Sequence, residues 1–142
     1  MEAAMDIVVY DELPEEAREI RELVFVEEQG FHDEFDETDA RAKHLVLYDG
    51  QTPVATCRIF RREEPGDYAV GRIAVRKEYR GRHLGAYLLK AAEEEIRSHG
   101  GKRVFLHAQC SARQFYQKQG YGCYGETDLD EDCPHIWMKK DV

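Results

Sequence analysis

Short apolar runs alternate with amphipathic stretches along this chain. Ile7-Val-Val-Tyr10 predicts a first strand. Asp11-Glu-Leu-Pro14 then marks a helix entry, with Pro14 near the first helical position and Glu15 and Glu16 in the first turn. Ala17, Ile20 and Val24 form an i, i+3, i+7 stripe, so residues 14–28 read as a helix that Gly30 stops. Residues 31–43 are polar and acidic and carry little periodic signal; an irregular connection with one short helical turn is expected. His44-Leu-Val-Leu-Tyr48 and Val54-Ala-Thr-Cys-Arg-Ile-Phe60 flank Asp49-Gly50, so 44–60 reads as a hairpin. Glu63-Glu-Pro-Gly-Asp67 is a turn before a strand from Tyr68 to Val75. Leu84, Leu88, Ala92 and Ile96 recur every fourth residue, which predicts an amphipathic helix over 82–98, closed by Gly100-Gly101. Arg103-Val-Phe-Leu-His107 is the next strand, residues 110–119 a helix ended by Gly120, and 121–124 with 135–139 a last antiparallel pair around an acidic loop.

The order is therefore β, α, β, β, β, α, β, α, β, β. A strand–helix–strand crossover over 68–107 makes those two strands parallel if they adjoin, while the hairpins are antiparallel. The fold class is a mixed α/β sheet with helices on both faces. No repeat, low-complexity tract or linker divides the 142 residues, so residues 1–142 are read as one domain.

Composition narrows the function. The net charge of −9 argues against sequence-independent nucleic-acid binding, which needs a basic surface. The acids crowd two segments: Glu27, Glu28, Asp33, Glu34, Asp36, Glu37 and Asp39 in one, Glu126, Asp128, Asp130, Glu131 and Asp132 in the other. They read either as solvated loops or as an acidic rim that draws in a cationic, amine-bearing partner. No apolar run approaches the length of a membrane span. Met1-Glu-Ala-Ala-Met-Asp6 has no basic segment leading into an apolar one, so no signal peptide is seen and a cytoplasmic location is expected. Cys57, Cys110, Cys123 and Cys133 are scattered without a C-x-x-C pair, which predicts reduced thiols packed mostly in the core and no metal site.

The stretch from Gly71 to Leu89 carries the chemistry. A strand runs into a turn bracketed by Gly81 and Gly85, with Arg80 and Arg82 beside them, and the turn opens a helix. Unpaired N–H groups and the positive end of the helix dipole suit such a turn to a phosphorylated ligand. A dinucleotide fold would want G-x-G-x-x-G after the first strand, and a P-loop would want G-x-x-x-x-G-K-[ST]. Gly81 to Gly85 is one residue too short for the second, and neither pattern fits.

Arg80-Gly-Arg-His-Leu-Gly-Ala86, preceded by Ile73-Ala74-Val75, resembles the pyrophosphate-binding motif of the GNAT superfamily of N-acetyltransferases. Arg80 fills its first position and Gly85 its last, while His83 sits where a glycine is commonest. Leu106-His-Ala-Gln-Cys-Ser-Ala-Arg-Gln-Phe-Tyr-Gln-Lys-Gln-Gly-Tyr121 resembles the family's later strand–helix segment, with Ala112, Phe115, Tyr116, Gly120 and Tyr121 in register and Gln109 in place of an Asn. Val24-Phe-Val-Glu-Glu-Gln-Gly30, His44-Leu-Val46, Leu106-His-Ala-Gln109 and Pro134-His-Ile-Trp-Met138 are similar to its ElaA/YjcF-like branch, over nearly the whole chain.

The resemblance implies a mostly antiparallel sheet with a central, splayed parallel pair and acetyl-coenzyme A as donor. The amides of Gly81, Arg82, His83, Leu84, Gly85 and Ala86, with Arg80 or Arg82, would hold the pyrophosphate. The main chain of Ile73, Ala74 and Val75 would pair with the pantetheine arm, and one N–H there would polarise the thioester carbonyl. Gln109 falls among the cofactor contacts. Tyr116 matches the tyrosine that protonates the departing sulfur. Arg72 precedes the strand where a carboxylate base is often found. Glu28, Glu34, His107 and His135 are the candidates for the base, and the sequence selects none of them. The acceptor would be a small-molecule amine or a lysine-like amine on a protein. A homodimer is compatible with the family, although no interface signature can be read. A non-catalytic acetyl-coenzyme A sensor is the alternative.

Overall fold

The computed structural model describes residues 5–142. Residues 1–4, the start of the segment with no signal-peptide pattern, lie outside the described residues. Seven strands form one sheet in the order β1-β2-β3-β4-β5-β7-β6. They are β1 (Met5–Tyr10), β2 (Lys43–Asp49), β3 (Thr52–Arg61), β4 (Asp67–Val75), β5 (Arg103–Gln109), β6 (Gly122–Asp130) and β7 (Cys133–Asp141). All neighbours are antiparallel except β4 and β5, joined through α3 (Leu84–Ser98). The remaining helices are α1 (Glu15–Arg21), α2 (Thr38–Arg41) and α4 (Arg113–Lys118).

Strand alternation sends side chains to two separate apolar clusters. Leu45 and Leu47 face α3 with Leu88, Leu89, Ala92 and Ile96. Val46, between them, faces α1 with Ala17, Ile20, Val24 and Phe25. The four-residue recurrence in α3 is thus the stripe that covers one sheet face, and the shorter α1 stripe covers part of the other. Gly101 closes α3 against β5: a Cβ there would sit 2.8 Å from Cδ1 of Tyr68 and collide with Ile96.

Three local departures from the sequence reading shape the site. The helix expected over 14–28 begins at Glu15 and widens into a π-helical segment at Glu22–Glu28, where Gln29 N–H donates to Val24 O at 3.2 Å. In β4, Arg72 and Ile73 together oppose Cys57 of β3, a bulge in which Arg72 takes φ 51°. The bulge keeps Val70, Ile73 and Val75 on the α3 face and puts Ala74 on the α1 face. The expected acidic loop at 125–134 is instead strand: β6 extends to Asp130 and turns at Glu131 and Asp132, both at positive φ. β6 is an edge strand exposed on nearly every residue, so no apolar alternation marked it. The cysteines also differ from expectation, since only Cys57 is buried; Cys110 and Cys133 are half-buried and Cys123 is exposed.

Candidate active site

The parallel pair opens into a fork. Ladder pairing between β4 and β5 covers Asp67, Tyr68 and Ala69 against Arg103, Val104 and Phe105, then stops. β4 continues to Val75 and β5 to Gln109, so from Val70 onward β4 has no β5 partner for its main chain. β5 instead stays paired with β7 to its end, Gln109 opposite His135. A cleft of about 460 Å³ fills the opening, walled by β4 from Val70 to Ile73, β5 from Leu106 to Gln109, and Phe31, Tyr116 and His135.

Beyond the end of β4 the chain makes a 3₁₀ turn at Lys77–Tyr79 and enters α3 through two left-handed residues, Gly81 (φ 82°) and His83 (φ 60°). His83 is the residue before the first helical position, and no side chain caps the helix. The first-turn N–H groups of a 15-residue helix are thereby left open to an anion. The left-handed backbone also explains why glycine suits position 83, where this chain has histidine. We predict that His83→Val destabilises the protein by about 1–2 kcal/mol in urea melts, whereas His83→Gly is tolerated. Equal stability for the two would remove the backbone argument.

Of the two arginines beside the turn, Arg80 is engaged by the protein. Its Nη1 and Nη2 donate to both carboxylate oxygens of Glu28 at 2.6 and 2.7 Å, and its Nε donates to Val75 O at 3.0 Å. Arg80 therefore ties the end of the π-helical segment to the end of β4. The same contact holds the Glu28 carboxyl below its ordinary value, and Glu28 is not a wall of the cleft. Arg82 is exposed, its guanidinium 5.1 Å from the centre of the Tyr79 ring. Leu84 packs its side chain in the core; Gly85 faces Phe115, whose Cζ lies 3.4 Å from where a Cβ would be; Ala86 is half-buried.

Tyr116 and Tyr121 pack edge to face at 6.2 Å, yet their hydroxyls differ. Tyr121 Oη donates to Glu93 Oε2 at 2.7 Å, and Glu93 is also held by Lys140. Tyr116 has no hydroxyl partner among the described residues, and it alone of the two lines the cleft. Burial, with Cys57 nearby, pushes the Tyr116 phenol above its ordinary value, so it stays protonated at neutral pH. Gln109 reaches across the mouth, its Nε2 donating to Gln29 Oε1 at 2.8 Å.

The acidic segment is not simply a solvated loop. Arg21, 1% exposed, pairs with Glu34 at 2.7 Å and with Asp39 at 2.7 Å. Arg58 joins Asp39 to Asp36 at 3.0 and 2.6 Å, and Arg72 reaches Glu34 at 3.0 Å. His44 Nε2 donates to Asp39 O. Three arginines thus match three carboxylates, with Glu34, Asp36 and Arg72 on the cleft wall and Asp39, Arg21 and Arg58 behind it. Burial tends to raise the Asp39 carboxyl, but Arg21 and Arg58 outweigh it and hold it well below the usual carboxylate range. At Glu34 burial wins over Arg72 and Arg21, and the carboxyl is pushed up. Arg21 is not among the residues singled out from the sequence, although its place four residues after Ala17 puts it inside the apolar stripe.

The structure brings Ile73, Gln109 and Tyr116 of the sequence-derived set to the cleft, with Glu34, His107 and His135 of the candidate bases. The turn at 80–86 stands apart, past the end of β4. Among the described residues no cluster of metal-ligating side chains occurs, and no helix is long and apolar enough to cross a membrane.

Comparison with known proteins agrees on the family. Residues 8–121 match the acetyltransferase (GNAT) family model. The chain is 38% identical over 125 residues to the uncharacterized N-acetyltransferase YjcF of Bacillus subtilis, covering 86% of this chain and 88% of that one. Among solved structures, Escherichia coli ElaA superposes with a TM-score of 0.84 at 26% identity, over 98% of this chain and 99% of that one. An acyl-CoA N-acyltransferase from Pseudomonas aeruginosa gives a TM-score of 0.84 at 26% identity, over 96% and 99%.

Proposed function

Because the chain belongs to the acetyltransferase (GNAT) family, we propose that it carries an acetyl group from acetyl-coenzyme A to a primary amine by direct attack on the thioester. The observation that carries the proposal is the fork: an unpaired β4 edge facing the free hydroxyl of Tyr116 across one cleft. The residues present fit the donor. An amide-bearing pantetheine arm can pair with the open edge of Ile73, Ala74 and Val75 as an added strand would. The uncapped first turn of α3 and the amides of residues 81–86 can hold the pyrophosphate, with Arg82 as the available guanidinium. Arg80, bound to Glu28, serves by fixing the turn rather than by touching phosphate.

The donor supplies a thioester whose carbonyl carbon accepts the amine and whose sulfur leaves. A main-chain N–H on the open part of β4 stabilises the developing oxyanion. Tyr116 donates its proton to the sulfur. Asp33 and Asp130 stand on the cleft wall without an arginine partner among the described residues, which favours a cationic acceptor, whether a small molecule or a lysine-like side chain.

Mixing the protein with acetyl-coenzyme A and a panel of alkylamines, and following free thiol, tests the reading. Thiol release that depends on the amine is the expected result. Tight coenzyme binding without release would favour a sensor, and a thermal shift with ATP or NAD but none with acetyl-coenzyme A would reject the donor.

A further inference from the structure

The transfer proposed above needs a neutral amine, and the cleft holds one side chain shaped to make it. We propose that His135 is the proton acceptor for the acceptor's ammonium group. His135 is 6% exposed and is the cross-strand partner of Gln109, so it stands on the last rung of β5, where the fork is widest. Its Nδ1 lies 2.8 Å from Cys133 O. A carbonyl oxygen only accepts, so Nδ1 carries the ring's hydrogen and Nε2 keeps the lone pair. Nε2 has no partner among the described residues, and the ring lines the cleft. Phe31 meets the ring edge-on at 6.4 Å and His107 lies against its face at 4.7 Å, so the ring is held in one orientation.

His107, the other histidine of the cleft, is placed differently. It sits two rungs deeper, opposite Trp137, with its ring 4.8 Å from the indole and 4.7 Å from His135. Its Nε2 donates to Asp128 Oδ1 at 2.8 Å. Sandwiched between two rings and anchored to a carboxylate, His107 backs His135. Glu34 is bound by Arg21 and Arg72, and Glu28 by Arg80, which leaves His135 as the uncommitted acceptor among the four sequence candidates. An imidazolium formed at His135 faces Asp128 across the β6–β7 ladder, with Asp130 and Glu131 on the same cleft and Arg72 on the opposite wall.

The protons balance. The ammonium gives one proton to Nε2 of His135, which returns it to solvent. The freed nitrogen lone pair forms the N–C bond as the C–S bond breaks. The second proton lost by nitrogen replaces the one that Tyr116 delivers to sulfur.

The test uses the whole protein and its fastest alkylamine from the panel, with thiol release as readout. At neutral pH, His135→Ala and His135→Gln are each expected to lower kcat/KM for that alkylamine about 100-fold or more, the usual size of a general-base contribution. Affinity for acetyl-coenzyme A should be unchanged. An aromatic amine, already neutral at this pH, should lose less than about tenfold. Added imidazole should restore part of the activity to His135→Ala and none to His135→Gln. Equal loss with both kinds of amine, full activity in either variant, or a deeper loss in His107→Asn than in His135→Gln overturns the assignment. Absence of thiol release from the unaltered protein overturns the transferase reading itself, a result distinguishable from loss in the variants alone.

Discussion

Replacing the Tyr116 hydroxyl by hydrogen, in Tyr116→Phe, is expected to lower kcat about 100-fold while leaving acetyl-coenzyme A affinity within about twofold. A factor of 100 corresponds to about 2.7 kcal/mol of transition-state stabilisation. The expectation follows from what the hydroxyl touches. Tyr121 is already bonded to Glu93, so its O–H is committed to the structure. Tyr116 keeps an uncommitted O–H on the cleft, and burial raises its phenol further above neutrality. A thiol titrates near 8.5, well below a phenol, so full transfer to a free thiolate would run uphill by the phenol's excess. The donation must therefore accompany C–S cleavage, when the sulfur is still acquiring charge and the transfer completes as the second proton leaves nitrogen. Because the ring makes the packing contacts with Phe115 and Tyr121, phenylalanine keeps them, and the melting temperature should hold. Single-turnover thiol release with saturating amine is the measurement. Unchanged kcat would take Tyr116 out of the proton path, and loss of coenzyme binding would make it a packing residue of the donor site instead.

The parts of this site that were legible in the sequence are those written in periodicity and turn chemistry. The α3 stripe of Leu84, Leu88, Ala92 and Ile96 set the crossover, and the crossover set the parallel pair. Gly81 marked the turn that opens α3, and the structure takes it through the left-handed region there. What could not be read were the destinations of long side chains. Arg80 fits the phosphate motif by position, yet its partner is Glu28, 52 residues earlier, and no local pattern encodes that reach. Arg21 and Arg58 occur on an apolar helix face and in a buried strand, where a charge signals a partner without naming it. The β4 bulge was equally silent: Arg72 looks like any strand residue, but its left-handed backbone is what turns its side chain toward Glu34 and Asp36. The part of β6 beyond Tyr124, read as an acidic loop, was missed for the opposite reason, since an exposed edge strand needs no alternation to persist once β7 supplies its ladder.

Removing the central cation of the buried network, in Arg21→Met, is expected to cost about 3–5 kcal/mol of folding stability, a large share of the 5–15 kcal/mol typical of a domain. The side-chain volume is nearly kept, so the loss is electrostatic: Glu34 and Asp39 remain buried with one partner fewer each. The network also joins α1 to α2 and the segment before it, through Arg58 to β3, and through Arg72 to β4, one wall of the cleft. The pH dependence distinguishes this cause from lost packing. In the native protein Asp39 and Asp36 are held below their ordinary values, so their contribution is complete above about pH 4 and fades as pH falls through the folded-state values. Glu34, raised by burial, works in the reverse sense and weakens the fold as pH climbs past its ordinary value. Without Arg21, Asp39 loses its main opposing charge and Glu34 rises further. Both changes penalise neutral pH more than acid. The gap between Arg21→Met and the native protein in urea melts should therefore be widest near pH 7 and should narrow toward pH 3.5. A gap independent of pH would mean that Arg21 acts through the packing of its stem and its contact with the Phe35 ring, and that Glu34 and Asp39 are stabilised by Arg58 and Arg72 alone.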